Sequence, residues 1–471
     1  MVKVKTLALS VGAALAWGTL GSAHAATTTQ QVADLKAQVA ELQQMVQQLS
    51  SQQQSQAVQL QQTAEIAAAK PAPVVAPVAA STKPGWFTLP DGQTQVKLYG
   101  SVRADATYDT KANPTSSINN NTNSVPLNSA NGTKNNLNVT AATSRIGLDI
   151  VRPTEYGDLV GKIEADFAGN ATGSSYINGN GTFRVRHAYF SLGKWLVGQT
   201  TSPFVNTDTA PETVDFNGPM GYGLTRTVQA RYTQPITANQ KLLVALEGGD
   251  VDNINSGTAT TVFKNSSGTA ITTTTSSGGN RLPALTARYD IATADKKGLL
   301  QVHGLLHENR ISLNDNVDET KLGWGVGVGA KYSLTPNDTV FANYYHVKGD
   351  SKYLLYTNPA YVAYQNATTG ATDVSIYESE YDTGLLGYSH KWSPQWRSTV
   401  AAGAIWYKND NDYAAKAPNL NKKLYNIIVN SFYSPVKNVD LGVEYTYGQR
   451  ETFQGNKGDY SRVNLMAKYN F

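Results

Sequence analysis

The sequence predicts an all-β transmembrane barrel of about sixteen antiparallel strands, preceded by an α-helical coiled-coil segment. Three observations predict it. From Thr94 to Phe471 apolar and polar residues alternate with a period of two almost throughout, the signature of strands with one oily and one wet face. No segment reaches the ~18 consecutive apolar residues that a spanning helix needs. The connections between the alternating stretches are short and long by turns, as in barrels whose two rims face different compartments.

The first element is a leader. Lys3 and Lys5 form a positive start, Leu7 to Trp17 a short apolar run, and Ala23-His24-Ala25 fits the small-x-small cleavage rule, so residues 1–25 read as a signal peptide. The apolar run is too short for an anchor. An exported chain with no Cys relies on a hydrogen-bonded ladder and packing rather than on disulfides. Losing Lys3 and Lys5 lowers the formal net charge from +4 to +2. The basic residues are scattered, which excludes a nucleic-acid partner.

Residues 26–69 read as a coiled-coil oligomerisation segment. Val32, Leu35, Val39, Leu42, Val46 and Leu49 alternate at spacings of three and four, with Val at a and Leu at d over three heptads. So short a helix is marginal without partners. Residues 70–93 form a Pro/Ala-rich linker, in which Pro71, Pro73 and Pro77 exclude helix and favour an extended spacer.

Residues 94–471 are the barrel. In the first strand Val96, Leu98, Gly100, Val102, Ala104, Ala106 and Tyr108 share one face, and Lys97, Tyr99, Ser101, Arg103, Asp105 and Thr107 the other. A dry core rejects Lys97, Arg103 and Asp105 together, whereas a water-filled lumen accepts them. The same pattern places strands near 139–152, 158–167, 182–192, 194–200, 226–234, 240–248, 282–291, 298–308, 321–333, 338–348, 379–391, 396–408, 424–434, 439–449 and 459–471. Short connections carry Pro, as in Thr335-Pro-Asn337 and Ser393-Pro-Gln395, where no ladder donor is lost. Long ones span 110–138, 168–181, 201–225, 249–280, 349–378 and 409–423. The last strand ends on Tyr469 and Phe471, aromatic rings on one face, suited to a membrane interface. A barrel of about sixteen strands is too wide for side chains to fill, so it is a pore unless plugged.

With the apolar face outward, the lumen receives Arg103, Arg145, Lys162, Arg184, Arg186, Arg231, Arg288, Lys331 and Arg397, together with Asp105, Asp149, Glu164, Asp166 and Glu247. Arginine dominates on strands two to eight, and rings of Arg and Lys serve anion pores. The loop 201–225 differs from the others: Phe204, Phe216, Met220 and Tyr222 stand beside Asp208, Glu212 and Asp215. Its apolar anchors predict a loop folded into the barrel as a constriction, its acids facing the arginines.

Two patterns mimic catalytic or metal chemistry. His303 and His307 share a strand face without a third ligand, so no metal or cofactor is expected. Gly323-Trp-Gly-Val-Gly-Val-Gly329 alternates on a strand, and no Gly-Lys-Ser/Thr follows it. Neither a nucleophile elbow nor HExxH occurs, so an outer-membrane hydrolase is a weak alternative to a channel, as is a structural adhesin.

The stretches Ser144-Arg-Ile-Gly-Leu-Asp149, Gly161-Lys-Ile-Glu-Ala-Asp166, Arg184-Val-Arg-His-Ala-Tyr-Phe190 and Leu196-Val-Gly-Gln-Thr-Thr-Ser-Pro-Phe204 resemble the trimeric porin superfamily. The coiled coil, the Pro-Ala spacer and the opening Lys97-Leu-Tyr-Gly-Ser-Val-Arg-Ala-Asp105 resemble the DcaP-type porins in particular. The resemblance implies a sixteen-stranded homotrimer in the Gram-negative outer membrane, a third loop folded inward, and passive uptake of dicarboxylates or similar small organic anions. It also implies that Phe471 is read by the barrel assembly machinery. General-diffusion and phosphate-type porins are the alternative readings.

Overall fold

Long alternating strands give a sheet one face for lipid and one for water. Such a sheet must close, because an open edge in hydrocarbon leaves backbone N–H and C=O groups unpaired. The computed structural model describes residues 84–111, 119–127, 134–169, 181–248, 260–264, 270–274, 281–313, 317–365 and 374–471, with Gln43, Gln44 and Gln47. The chain divides into two units, 1–77 and 78–471. In the first, the three described glutamines are helical and exposed. The signal peptide, the rest of the coiled coil and the linker up to residue 83 lie outside the described residues.

In the second unit sixteen strands close one antiparallel barrel: β1 (Gln95–Lys111), β2 (Asn136–Thr140 and Arg145–Thr154), β3 (Gly157–Gly169), β4 (Thr182–Leu192), β5 (Trp195–Thr201), β6 (Arg226–Thr237), β7 (Gln240–Glu247), β8 (Ala284–Ala292), β9 (Gly298–Leu313), β10 (Val317–Ser333), β11 (Asp338–Lys348), β12 (Glu380–Lys391), β13 (Trp396–Tyr407), β14 (Asn421–Tyr433), β15 (Val439–Thr452) and β16 (Lys457–Asn470). Each strand pairs with its sequence neighbour, and β16 pairs with β1 from Ser101↔Asn470 onward. The seal is completed by Phe471, whose N–H and C=O exchange bonds of 3.1 Å with Gly100. The two pieces of β2 both pair with β1. At the break the Ser144 hydroxyl replaces a ladder partner, accepting from Arg103 N at 3.0 Å and donating to Arg103 O at 3.1 Å.

The sixteen strands fall where alternation predicts them, with two extensions. β9 runs on to Leu313 and β10 begins at Val317, so this hairpin stands taller than the alternating segments 298–308 and 321–333. The linker's last residues differ too, since Phe87–Thr88 pairs with β1. Short hairpins, 260–264 with 270–274 and 361–365 with 374–378, decorate the loops after β7 and β11. The outward face is exposed and apolar, as at Leu98, Val102, Ile163, Val228, Leu386 and Val429. Trp392, Trp396, Tyr469 and Phe471 gather at the short-turn rim, the aromatic girdle of a membrane barrel.

Candidate functional site

The third loop, residues 202–225 between β5 and β6, lies against the inner wall. Phe204, Val205 and Met220 are fully buried. The Phe204 ring meets Tyr345 and Tyr353 edge-on, each at 5.5 Å. Asn206 Nδ2 and Thr209 Oγ1 both donate to Asn343 Oδ1, at 3.0 and 2.7 Å. Glu444 on β15 accepts from Val214 N at 2.7 Å and from Asp215 N at 2.9 Å. Arg103 on β1 donates to Val214 O at 2.7 Å.

Glycine makes room for this packing. A Cβ on Gly329 would stand 1.4 Å from Asn206 Nδ2, and one on Gly403 would stand 2.4 Å from Met220 O. The alternating glycines of 323–329 therefore belong to the seat of the loop. His303 likewise donates from Nδ1 to Pro203 O at 2.9 Å. His307 Nε2 lies 3.5 Å from Asp350 in the sixth loop, residues 349–379. Tyr353, Leu354 and Tyr356 of that loop join Phe204, Val205 and Met220 in one apolar cluster with Ile405 and Leu424. The first loop contributes as well: Asn120 N donates to Asp215 at 2.9 Å, and Arg450 donates to Asn123 O at 3.0 Å. Three loops thus pack on the inner face of β9–β16, whereas sequence reasoning anticipated only the third.

The wall of β2–β8 carries the cations. Arg184 grips Asp166 with two bonds of 2.8 and 2.7 Å. Arg186 bonds Glu164 at 2.7 Å and Asp166 at 3.0 Å, and Arg145 lies 3.3 Å from Glu164. Lys162 pairs with Asp149 at 2.6 Å, and Arg288 with Asp290 at 2.9 Å. Three arginines thus share the two carboxylates of β3. Arg226 and Arg231 on β6 differ in having no ion pair among the described residues; the Nε of each is buried without a hydrogen-bond partner, as are those of Arg145 and Arg288. Arg226 is near enough to Arg186, Arg145 and Arg184 to feel their charges.

The third loop's residues divide by role. Phe216 holds its ring 6.0 Å from the Arg103 guanidinium, 5.7 Å from that of Arg184 and 5.6 Å from that of Arg186. Asp208 is half-exposed, 3.7 Å from Arg288. Glu212 turns to the far wall and holds Arg397 at 2.7 and 2.9 Å. Asp215 corrects the expectation that all three acids face the arginines. It is buried and accepts backbone N–H groups of Asn120, Asn217 and Gly218, and burial pushes its carboxyl up from the usual range. Its job in the loop is to tie a turn to the first loop.

Arg226 and Glu444 escaped the sequence reading. Arg226 opens β6 at the position where outward parity would begin. Glu444 was legible as an inward acid in alternation with Val443 and Tyr445. Among the described residues no group of three or more His, Cys, Asp or Glu side chains could hold a metal.

The sequence profile of the DcaP outer membrane protein family matches residues 19–471. No curated protein matches the chain. The crystal structure of the outer membrane channel DcaP of Acinetobacter baumannii is 34% identical, covering 81% of this chain and 98% of that one, with a TM-score of 0.68. An anion-selective porin from Comamonas acidovorans, 10% identical, covers 80% of this chain and 100% of its own with a TM-score of 0.52, a likeness of fold alone. On the family profile and the 34% identity, the chain belongs to the DcaP outer membrane protein family and is an outer-membrane β-barrel channel, not an enzyme.

Proposed function

We propose that this channel passes small hydrophilic solutes by diffusion and favours small organic anions such as dicarboxylates, and that the third loop is its constriction. The carrying observation is the pair Arg226 and Arg231, two guanidinium groups with no ion pair among the described residues, on a wall where Arg145, Arg184 and Arg186 outnumber Glu164 and Asp166. Uncompensated positive charge in a narrow aqueous passage raises the local concentration of anions. A guanidinium fork suits carboxylate, binding two oxygens at once. Asp208, half-exposed near Arg288, adds the opposite sign at the loop and so a transverse field. In planar bilayers with a salt gradient the reversal potential should have the sign of an anion-selective pore, and succinate should enter liposomes faster than a sugar of similar size. A cation-selective wild-type pore that prefers sugars would make this a general diffusion porin.

We also propose a homotrimer, associated through the barrel, with the coiled coil as a periplasmic extension. The outward face of β1–β3 supports this reading: Val102, Ala104, Ala106 and Ile163 are small or aliphatic, reach the surface and allow close approach of a second barrel. Deleting residues 26–90 should leave a trimer on unheated gels that dissociates on heating; monomers alone would transfer the interface to the helix.

Phe471 is proposed as the signal read by the barrel assembly machinery. Its ring is half-exposed, while its ladder bonds to Gly100 are backbone bonds that an alanine keeps. Phe471→Ala should therefore lower outer-membrane yield several-fold in cells and barely change the heat-modifiability of the barrel that is made. Unchanged yield would contradict it.

A further inference from the structure

We propose that the outward groove across β11–β14 seats one phospholipid of the periplasmic leaflet, its glycerol–phosphate region at Ser398 and Ser431 and one acyl chain over Ala342 and Ala402. The first observation is a polar row on a face that should be apolar. Asp338, His390, Ser398 and Ser431 are cross-strand neighbours in successive ladders. All four project to the same side as Leu386, Val400 and Val429, the lipid side. Hydroxyls on that side cost free energy unless they find partners.

Their bonds run in one direction. Trp392 Nε1 donates to Ser398 Oγ at 3.0 Å, and a bond of 3.1 Å passes from Ser398 Oγ to Ser431 Oγ. The hydrogen of Ser431 is then left to donate outward, to a phosphate or ester oxygen. His390 joins the row through Nδ1, 2.6 Å from Asp338 Oδ1, which leaves Nε2 pointing away from that carboxylate. The row lies one outward position from Trp396 and Tyr433, about 7 Å along the strand. That depth, just inside the aromatic girdle at the short-turn rim, is where the glycerol region of a lipid sits.

The second observation is shape. A groove of about 470 Å³ is lined by His390, Ser398 and Ser431. Another of about 480 Å³ is lined by Ala342, Leu386 and Ala402. Tyr388 and Val400 line both, so a polar end opens into an apolar trough along the outer wall. The ladder explains the trough: Ala342 and Ala402 flank Leu386, and small residues beside a large one leave a channel for a chain. The occupant is lipid rather than a second barrel because the polar row at girdle depth opens into a single narrow trough, whereas the face proposed for association lies on β1–β3.

The test uses the full-length protein in mild detergent, with added phosphatidylethanolamine as the probe and native mass spectrometry as the readout. The wild type should keep one phospholipid per chain through detergent exchange. Ser398→Ala with Ser431→Ala should weaken retention about tenfold, the worth of a lost hydrogen bond or two. Ala402→Phe, which fills the trough, should do the same while leaving conductance and heat-modifiability unchanged. Wild-type retention in both variants would overturn the proposal. So would loss of oligomer mass with Ala402→Phe, which would assign the groove to a second copy.

Discussion

Deleting Asp208 to Gly221 should raise single-channel conductance severalfold, the largest effect any single change in this chain is expected to have. The segment is held by more than contact. Glu444 accepts four bonds, from Val214 N, Asp215 N, Asn430 Nδ2 and Asn464 Nδ2. Hydrogen bonds to a charged group stabilise by about 1.5–3 kcal/mol each. Asn343 adds the bonds from Asn206 and Thr209, and the glycine seat lets the loop lie flush with the wall. If the loop is the proposed constriction, so firm an anchor narrows the passage permanently, and its removal should enlarge the current steadily instead of making it flicker. Glu444→Ala is the graded version: the two loop N–H groups lose their acceptor, as do the Asn430 and Asn464 amides, and the loop should loosen, giving noisier currents of higher mean. The same is expected of Gly329→Val, which displaces Asn206 from the wall side. An unchanged conductance in the deletion would place the loop outside the ion path.

How much of this was legible follows from what constrains each residue. A strand bounded by lipid on one side must alternate, so all sixteen could be placed from the sequence. Where β9 and β10 rise above the membrane, lipid no longer requires an oily face. Asn309, Arg310, Glu319 and Thr320 therefore show no alternation, and the hairpin top was missed. The glycines of 323–329 declared a strand, but their purpose depends on a loop more than a hundred residues earlier in the sequence. Tyr353-Leu-Leu-Tyr356 carried the same apolar-anchor signal as the third loop, so the docking of the sixth loop was legible in principle. The ion pairs were not. Arg186 sits at a bulge where Glu164 pairs with His187 and Ala165 with Val185, and that slip sets Arg186 between Glu164 and Asp166. Sequence can name inward arginines; only register says which are already occupied.

That distinction predicts two different outcomes for two pairs of arginines. Arg226→Ala with Arg231→Ala should shift the reversal potential toward cations and slow succinate entry several-fold, with yield and heat-modifiability close to wild type. Neither side chain holds an acid among the described residues, so removing both takes away positive charge and available forks while leaving no carboxylate unpartnered. Arg184→Ala with Arg186→Ala should act first on stability. Arg186, Glu164 and Asp166 are buried, and breaking a buried pair from one side costs about 3–5 kcal/mol, because the stranded charge stays out of water. Arg184 is partly exposed, so its share is smaller. The forks of this pair are already engaged with Asp166 and Glu164, so a passing dicarboxylate gains less from them than from Arg226 and Arg231. The site must also stay weak, since a tightly held solute would block flux. Bilayer reversal potentials and thermal shifts of the two double variants, measured side by side, separate the roles. A reversal potential unmoved by Arg226→Ala with Arg231→Ala would mean that the anion path runs along another part of the wall.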